Sequence, residues 1–180
     1  NDPKKLTARP LQFCKQHKFS GKIYLVNPHR KQVQGRTAFP SVSAIPEKID
    51  HAYIMLSTEL VEAALDDCIA AGVSVVTILA EGFAEAGEAG RKRQARLVAK
   101  ANSADVMMIG PNSMGVANTE NGFICTTNAA FKADSLRHGR LAVLSHSGSL
   151  IGTLLSRGEA RNIGFSKLVS LGNEAQSCVG

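Results

Sequence analysis

Tryptophan is absent from this 180-residue chain, and aromatic residues make up only 5% of it. A core must therefore be built mainly from the aliphatic residues within the 44% of the chain that is hydrophobic. No apolar run approaches the roughly 18 residues that a membrane-spanning helix needs, and no basic-then-apolar leader opens the chain. The sequence thus predicts a globular protein of the cytoplasm without a membrane partner.

Motifs for metals, disulfides and common nucleotide loops are also missing. The four cysteines form no CxxC pair, and neither HExxH nor another metal-spaced histidine pair occurs. These absences argue against a zinc site, a disulfide framework and any protein-bound metal. No G-x-x-x-x-G-K-[ST] or G-x-G-x-x-G segment occurs either, so neither a P-loop nor the dinucleotide fingerprint is predicted.

Positive charge is concentrated at the start of the chain. Residues 1–36 hold nine Lys and Arg against one acidic residue, whereas residues 37–180 hold twelve against fourteen. A basic segment of this kind indicates either a polyanionic ligand, such as a nucleotide, coenzyme A (CoA) or nucleic acid, or simply a solvated basic helix.

Short apolar runs alternate with segments of helical spacing in the first two thirds of the chain. Strands are predicted at 22–26, 51–56, 73–79 and 106–109, and helices at 6–17, 58–71 and 87–103. A loop that contains Gly35, Pro40 and Pro46 is predicted after Asn27-Pro28, which ends the first strand. This alternation is typical of a parallel sheet with helices on both faces. Such a sheet normally starts with a strand, whereas the first element predicted here is a helix, so we expect the usual first strand to be missing from these residues.

Residues 119–139 are polar and are predicted to form an irregular connection. One βαβ unit follows, with a strand at 141–144, a helix at 150–160 and a strand at 165–171. A lone unit of this kind cannot bury both faces of its sheet, so we expect it to open a second domain. The predicted domains are 1–125 and 126–180.

Two turns that follow predicted strands could bind a ligand. Gly110–Gly115 would stand at the carboxyl end of a strand, where open α/β sheets bind ligands, and an ordinary tight turn is the alternative. Ser145–Ser149 lies between a strand and a helix, so its small residues could leave helix N–H groups free for an anion. Plain capping by Ser147 or Ser149 is the alternative there. A nucleophile elbow at Ser147 would need glycines where residues 145 and 149 are serines.

Five groups of segments, in order along essentially the whole chain, resemble the NDP-forming acyl-CoA synthetases. That family includes ADP-forming acetate–CoA ligase and is related to the succinyl-CoA synthetase α subunit. The segments are Gly21–Pro28 with Gly35, Phe39–Val42 and Ile45–Pro46; Ala80–Glu85; Ile109–Gly115; Leu144–Ser149; and Gly164–Ser166 with Val169–Asn173. The resemblance implies an α/β protein, with a Rossmann-like parallel CoA-binding domain followed by the first βαβ unit of a flavodoxin-like domain.

The resemblance also implies which residues touch the ligands. They are Asn27, Pro28, Arg30, Lys31, Ser57 and Thr58 for CoA, Glu81 and Asn112 near the reacting centre, and Ser147, Gly148 and Ser149 for the phosphate of a phosphohistidine. Arginine suits the first group because its planar fork of donors matches phosphate.

Other parts of the family's machinery are expected outside these residues. The phosphorylated histidine is expected beyond Gly180, so no catalytic residue is assigned within the chain and His146 is not taken for it. The family's first strand would precede Asn1. The implied substrates are CoA and a carboxylic acid, with ATP or another nucleoside triphosphate and Mg²⁺ as cofactors of the complete enzyme. An ATP-grasp domain or subunit is the implied partner, the protein is expected to be an oligomer, and no nucleic acid is expected.

Two other functions stay open at this point. The chain could be a non-catalytic CoA-binding regulatory module, which would bind CoA without turnover. It could also be a serine hydrolase that uses Ser147 as its nucleophile.

Overall fold

The computed structural model describes residues 4–176 of the chain. Its α-helices are α1 (Arg9–Gln16), α2 (Thr58–Ala70), α3 (Glu88–Ser103) and α4 (Gly148–Glu159). Its strands are β1 (Leu25–Val26), β2 (Gln32–Val33), β3 (Arg36–Phe39), β4 (His51–Ile54), β5 (Val75–Ile78), β6 (Met107–Ile109), β7 (Gly115–Asn118), β8 (Phe123–Thr126), β9 (His138–Ser145) and β10 (Phe165–Ser170). These strands form three sheets, with the orders β1-β3-β2, β4-β5-β6 and β8-β7-β10-β9.

The central sheet, β4-β5-β6, is parallel, as the sequence predicts. His51 pairs with Val75, and Thr77 pairs with Ile109. The sheet and the helices α2 and α3 share one core cluster, which includes Val61, Leu65, Val76, Ile78, Leu97 and Met108. The three apolar runs predicted at 51–56, 73–79 and 106–109 are therefore confirmed as strands of one parallel sheet.

Helix α2 shows how closely local sequence sets the limits of an element. It begins after Ser57, and its buried residues Val61, Leu65 and Cys68 follow at helical spacing. It ends at Ala70, two residues before Gly72, whose φ of +69° lies in the left-handed region that glycine adopts without strain.

The strand predicted at 22–26 is shorter and lies in a different sheet. Only Leu25 and Val26 form β1, and they pair in parallel with Ala38 and Phe39 of β3 rather than with the central sheet. Its membership of the central sheet was therefore a wrong prediction. Its partner β3 belongs to the neighbouring β2–β3 hairpin, a segment that the sequence analysis interprets as loop.

The hairpin formed by β2 and β3 turns at Gln34 and Gly35. Their φ values are +50° and +74°, and two successive positive φ values are the mark of the tight turns that join antiparallel strands. The sequence gives little sign of it, because β2 has only two residues and β3 carries Arg36 and Thr37 at its start.

The four-stranded sheet, β8-β7-β10-β9, contains the predicted βαβ unit and two further strands. β9 and β10 are parallel, with Val143 opposite Leu168, and α4 connects them. β7 pairs with β10 in antiparallel fashion and continues through a hairpin into β8. The irregular connection predicted over 119–139 is therefore wrong for β8 and for the start of β9.

Packing explains why these strands form despite their polar neighbours. Ala117 of β7 and Ile124 of β8 join one core cluster with Ile151 and Leu155 of α4. The hairpin thus widens a sheet that the βαβ unit alone would leave narrow. The division predicted between residues 125 and 126 falls at the end of β8 and stays a prediction.

On β4, His51 and Tyr53 alternate with Ile54 of the core and contact polar groups of other segments. The His51 Nε2 atom lies 2.8 Å from Thr77 Oγ1, and its ring stands edge-on to Phe123 of β8 with 5.5 Å between centroids. The Tyr53 hydroxyl donates to the carbonyl of Ser113 over 3.2 Å. Burial lowers the pKa of His51 to about 4, so its imidazole is neutral at pH 7.

None of the helices within residues 4–176 is long and apolar enough to cross a membrane. Nor do these residues contain a group of three His, Cys, Asp or Glu side chains placed to hold a metal ion.

Candidate functional site

Three loops meet at the carboxyl edge of the central sheet, where parallel α/β sheets bind ligands. The Thr58 hydroxyl, which follows β4, donates to the carbonyl of Glu81 after β5 over 2.7 Å. The N–H of Asn112, after β6, donates to the carbonyl of Ala80 over 2.8 Å. The structure therefore brings together three of the residues predicted from sequence, Thr58, Glu81 and Asn112.

Ser57, Glu81 and Asn112 are exposed at this edge, whereas Thr58 is half-buried. Ser57 occupies the N-cap position of α2, and its hydroxyl makes no capping hydrogen bond. Asn112 has a φ of +60° and is exposed, whereas Pro111 and Ser113 on either side of it are buried. A cavity of about 210 Å³ opens beside Thr58, between α2 and α3.

The loop after β10, a strand of the four-stranded sheet, also lies at this edge. The N–H of Asn173 donates to the carbonyl of Pro111 over 2.9 Å. Gly172 has a φ of +59°, and a Cβ atom added to it would lie 2.2 Å from the Pro111 carbonyl oxygen. Only glycine allows the two loops to approach this closely.

Asn173 also forms hydrogen bonds that hold the loop after β5 in place, a role that the sequence analysis did not assign to it. Its side-chain amide donates to the Glu85 carboxylate and, over 3.1 Å, to Gln94 Oε1. The other Glu85 oxygen accepts from the N–H groups of Gly82 and Phe83. Partial burial opposes ionisation of Glu85, but hydrogen bonds from Asn173 and these backbone groups outweigh it and lower the pKa of the carboxyl.

The turn between β9 and α4 presents the N-terminus of a 12-residue helix. Ser147 is the N-cap, and its Oγ accepts from the N–H of Leu150 over 3.2 Å. Within residues 4–176, the N–H groups of Gly148 and Ser149 donate to no protein acceptor. Two of the four free N–H groups of a helix start are therefore available to an external anion.

Gly148 is needed for packing rather than for space around a ligand. It is buried, and a Cβ atom added to it would lie 2.4 Å from the side chain of Met114. Ser147 and Ser149 on either side are exposed.

His146 faces away from the neighbouring serine and towards the loop after β10. Its Nε2 lies 3.3 Å from Oε1 of Glu174, and that oxygen accepts no hydrogen bond within the described part of the chain. The hydroxyl of Ser147 is already engaged in capping α4. Residues 4–176 therefore give Ser147 no histidine base, which a serine nucleophile would need.

The basic segment Asn27–Lys31 follows β1 and therefore belongs to the first sheet rather than to the central one. Asn27 Oδ1 accepts from the N–H of His29 over 3.0 Å, and Pro28, Arg30 and Lys31 are exposed. Lys22 and Lys100 pair with acidic side chains, whereas Arg30 and Lys31 pair with none among residues 4–176. Their charges are therefore available to an anionic ligand.

At this edge the parallel sheet is joined through Asn173 to a second α/β unit. The chain belongs to the CoA-binding-domain family, whose model matches residues 1–119, and residues 138–180 match the succinyl-CoA ligase like flavodoxin domain. The resemblance to NDP-forming acyl-CoA synthetases is thereby confirmed.

Individual relatives agree with this assignment. The chain is 40% identical over 157 residues to ADP-forming acetate–CoA ligase I of Archaeoglobus fulgidus, covering 87% of this chain and 22% of that protein. It is 37% identical over 175 residues to the alpha subunit of ADP-forming acetate–CoA ligase II of Pyrococcus furiosus, covering 97% of this chain and 37% of that subunit.

A solved structure shows the same fold. It is the dinucleotide forming acetyl-coenzyme A synthetase 1 of Ca. Korarchaeum cryptofilum in complex with phosphate and ADP, with a TM-score of 0.88 and 31% identity. The alignment covers 97% of this chain and 36% of that one. The chain thus spans between 22% and 37% of the length of these three relatives.

Proposed function

We propose that this chain is the CoA-binding and phosphate-binding part of an NDP-forming acid–CoA ligase, which joins a carboxylic acid to CoA. The observation that carries the proposal is the meeting of the two units at Gly172 and Pro111, where loops of both sheets share one edge. A ligase of this kind must bring an acyl group, a phosphate and the CoA thiol together, and this edge offers a place for them.

The nucleotide end of CoA is assigned to Asn27, Pro28, Arg30 and Lys31, and the pantetheine arm to Ser57 and Thr58. The unpaired charges of Arg30 and Lys31 support the first assignment, because phosphates form strong, charge-assisted hydrogen bonds with such groups. The cavity beside Thr58, which charged side chains of α2 and α3 also line, supports the assignment of Thr58, and the exposure of Ser57 supports that of Ser57. Glu81 and Asn112 are assigned to the surroundings of the reacting centre.

Replacing Arg30 and Lys31 together by alanine should weaken CoA binding by roughly 1–3 kcal/mol, the range for charge-assisted hydrogen bonds. The reason is the loss of two unpaired cations, so the salt dependence of the affinity should also decrease. Calorimetric titration of CoA into the full-length protein at two salt concentrations measures both effects. The control replaces Arg157, in the last turn of α4, and Arg161, just after that helix; both are exposed, and the affinity should stay unchanged. Equal CoA affinity in both double variants would place the nucleotide end elsewhere.

Ser147, Gly148 and Ser149 are assigned to the phosphate. The free N–H groups and the helix dipole supply positive potential, and no serine is acylated. The hydrolase alternative requires Ser147 to react as a nucleophile. Fluorophosphonate labelling of Ser147 in the full-length protein would favour the hydrolase, and an unlabelled protein that binds phosphate supports the ligase.

The remaining participants belong to the complete enzyme. We assign ATP or another nucleoside triphosphate, with Mg²⁺, to an ATP-grasp domain or subunit that works with this chain, in an oligomer. The phosphorylated histidine is expected beyond Gly180. A protein that binds CoA but never forms a phosphorylated intermediate would be the regulatory module instead.

A further inference from the structure

Asn128 is not among the residues predicted from sequence, yet it contacts the first turn of α4 directly. It is 7% exposed and precedes a short 3₁₀ turn, Ala129–Lys132. Its Nδ2 donates to the carbonyl oxygen of Gly148 over 2.7 Å, and its Oδ1 accepts from the N–H of Ala130 over 2.9 Å. Both ends of the side-chain amide are engaged, which fixes its orientation.

The Gly148 carbonyl belongs to the same planar peptide unit as the N–H of Ser149. A donor held on the carbonyl oxygen polarises that unit, so its N–H becomes a stronger hydrogen-bond donor. The same contact fixes the plane of the unit and hence the direction of the N–H. Ser149 is exposed, and its N–H is one of the donors assigned to the phosphate.

The start of α4 is shaped for this contact. A Cβ atom added to Gly152 would lie 2.7 Å from both Nδ2 and Oδ1 of Asn128, so only glycine lets the helix come this close. Thr126 supports the asparagine from the other side, because its Oγ1 accepts from the Asn128 N–H over 3.2 Å and donates to the Met114 carbonyl over 2.7 Å.

We propose that Asn128 is a positioning residue, which aims and polarises the Ser149 N–H towards the bound phosphate. The inference rests on the proposed phosphate site and adds to it a residue that does not touch the ligand. It also accounts for a buried amide whose nitrogen reaches across 20 residues to α4, whose other long-range contacts include the apolar packing of Ile151 and Leu155 and an ion pair between Glu159 and Arg137.

Inorganic phosphate titrated into the full-length protein tests this role, with the Ser149 amide resonance and the phosphate affinity as readouts. Asn128→Ala should weaken phosphate binding about tenfold, the scale of losing part of one charge-assisted hydrogen bond. It should leave CoA affinity unchanged, which a general loss of structure would not do. The matched control is Asn121→Ala, because the exposed Asn121 makes the equivalent local bond, Oδ1 to the N–H of Phe123 at 3.0 Å, in the β7–β8 turn.

Gly152→Ala disrupts the same contact between Asn128 and Gly148 from the side of the helix. It provides a second test if Asn128→Ala does not fold. The added methyl group displaces the Asn128 amide from Gly148, so phosphate affinity should fall while Asn128 is still present. Unchanged phosphate affinity in both variants would overturn the positioning role and leave the phosphate site standing. If phosphate fails to move the Ser149 resonance in the wild-type protein, the proposed phosphate site is wrong, and the role of Asn128 falls with it.

Discussion

Between pH 7 and pH 4 the protein should lose about 3 kcal/mol of unfolding free energy through His51 alone. Burial lowers the pKa of His51 to about 4 in the folded state, from the ordinary value near 6.5. Well above pH 6.5 the residue is neutral whether the chain is folded or not, so it leaves the stability unchanged there. As the pH falls, the unfolded chain takes up a proton that the folded protein excludes, and the loss is complete only below the folded-state pKa.

Denaturant unfolding of the wild type and His51→Gln at several pH values measures this contribution. Glutamine can keep a hydrogen bond to Thr77, which His51 contacts at 2.8 Å, but it does not titrate. Subtracting the two curves removes the effect of carboxylates that titrate in the same range, such as Glu85. The wild-type stability should fall relative to the variant as the pH drops, and parallel curves would show that His51 is not shielded from water.

Replacing Gly172 by alanine should lower the unfolding free energy by roughly 2–4 kcal/mol and disturb the edge shared by the two sheets. The residue has a φ of +59°, which costs an alanine conformational energy. Its added Cβ would also lie 2.2 Å from the Pro111 carbonyl oxygen and 2.6 Å from that of Asn112, and backbone atoms cannot rotate away. Thermal or chemical unfolding of the protein gives the loss directly.

Gly72→Ala is the matched control for this experiment. Gly72 has a similar φ of +69°, but an added Cβ there would meet no atom within 4 Å. It therefore carries the conformational cost alone, and the difference between the two variants isolates the close approach at Gly172. Equal losses in the two variants would contradict the contact between the loops.

The central sheet could be predicted from sequence because each of its strands is a short apolar run bounded by turn residues. Its helices also carry their own signals, as the spacing of Val61, Leu65 and Cys68 in α2 shows. The β7–β8 hairpin gave no such signal, because each strand has only four residues and its stability depends on packing against Ile151 and Leu155 of a helix that comes later in the chain. Contacts between distant segments of this kind leave no local pattern.

The candidate site likewise contains some residues that could be predicted from sequence and others that could not. Thr58, Glu81 and Asn112 follow strands directly, so topology alone places them together. Glu85 and Asn173 lie within the segments that resemble the family, but the bond between them spans 88 residues and links two sheets. Asn128 was missed because a single asparagine before Ala-Ala-Phe is no motif, and its bond to α4 becomes visible only in the folded protein.

The most direct test of the ligase assignment is phosphorylation of the full-length protein, together with its ATP-grasp region, by labelled ATP or GTP with Mg²⁺. The account predicts a phosphoprotein stable to base and labile to acid, as phosphohistidine is, that loses its label when CoA and a carboxylic acid such as acetate are added together. CoA alone should leave the label in place. A protein that binds CoA but takes up no label from either nucleotide would contradict the ligase and identify a CoA-binding module.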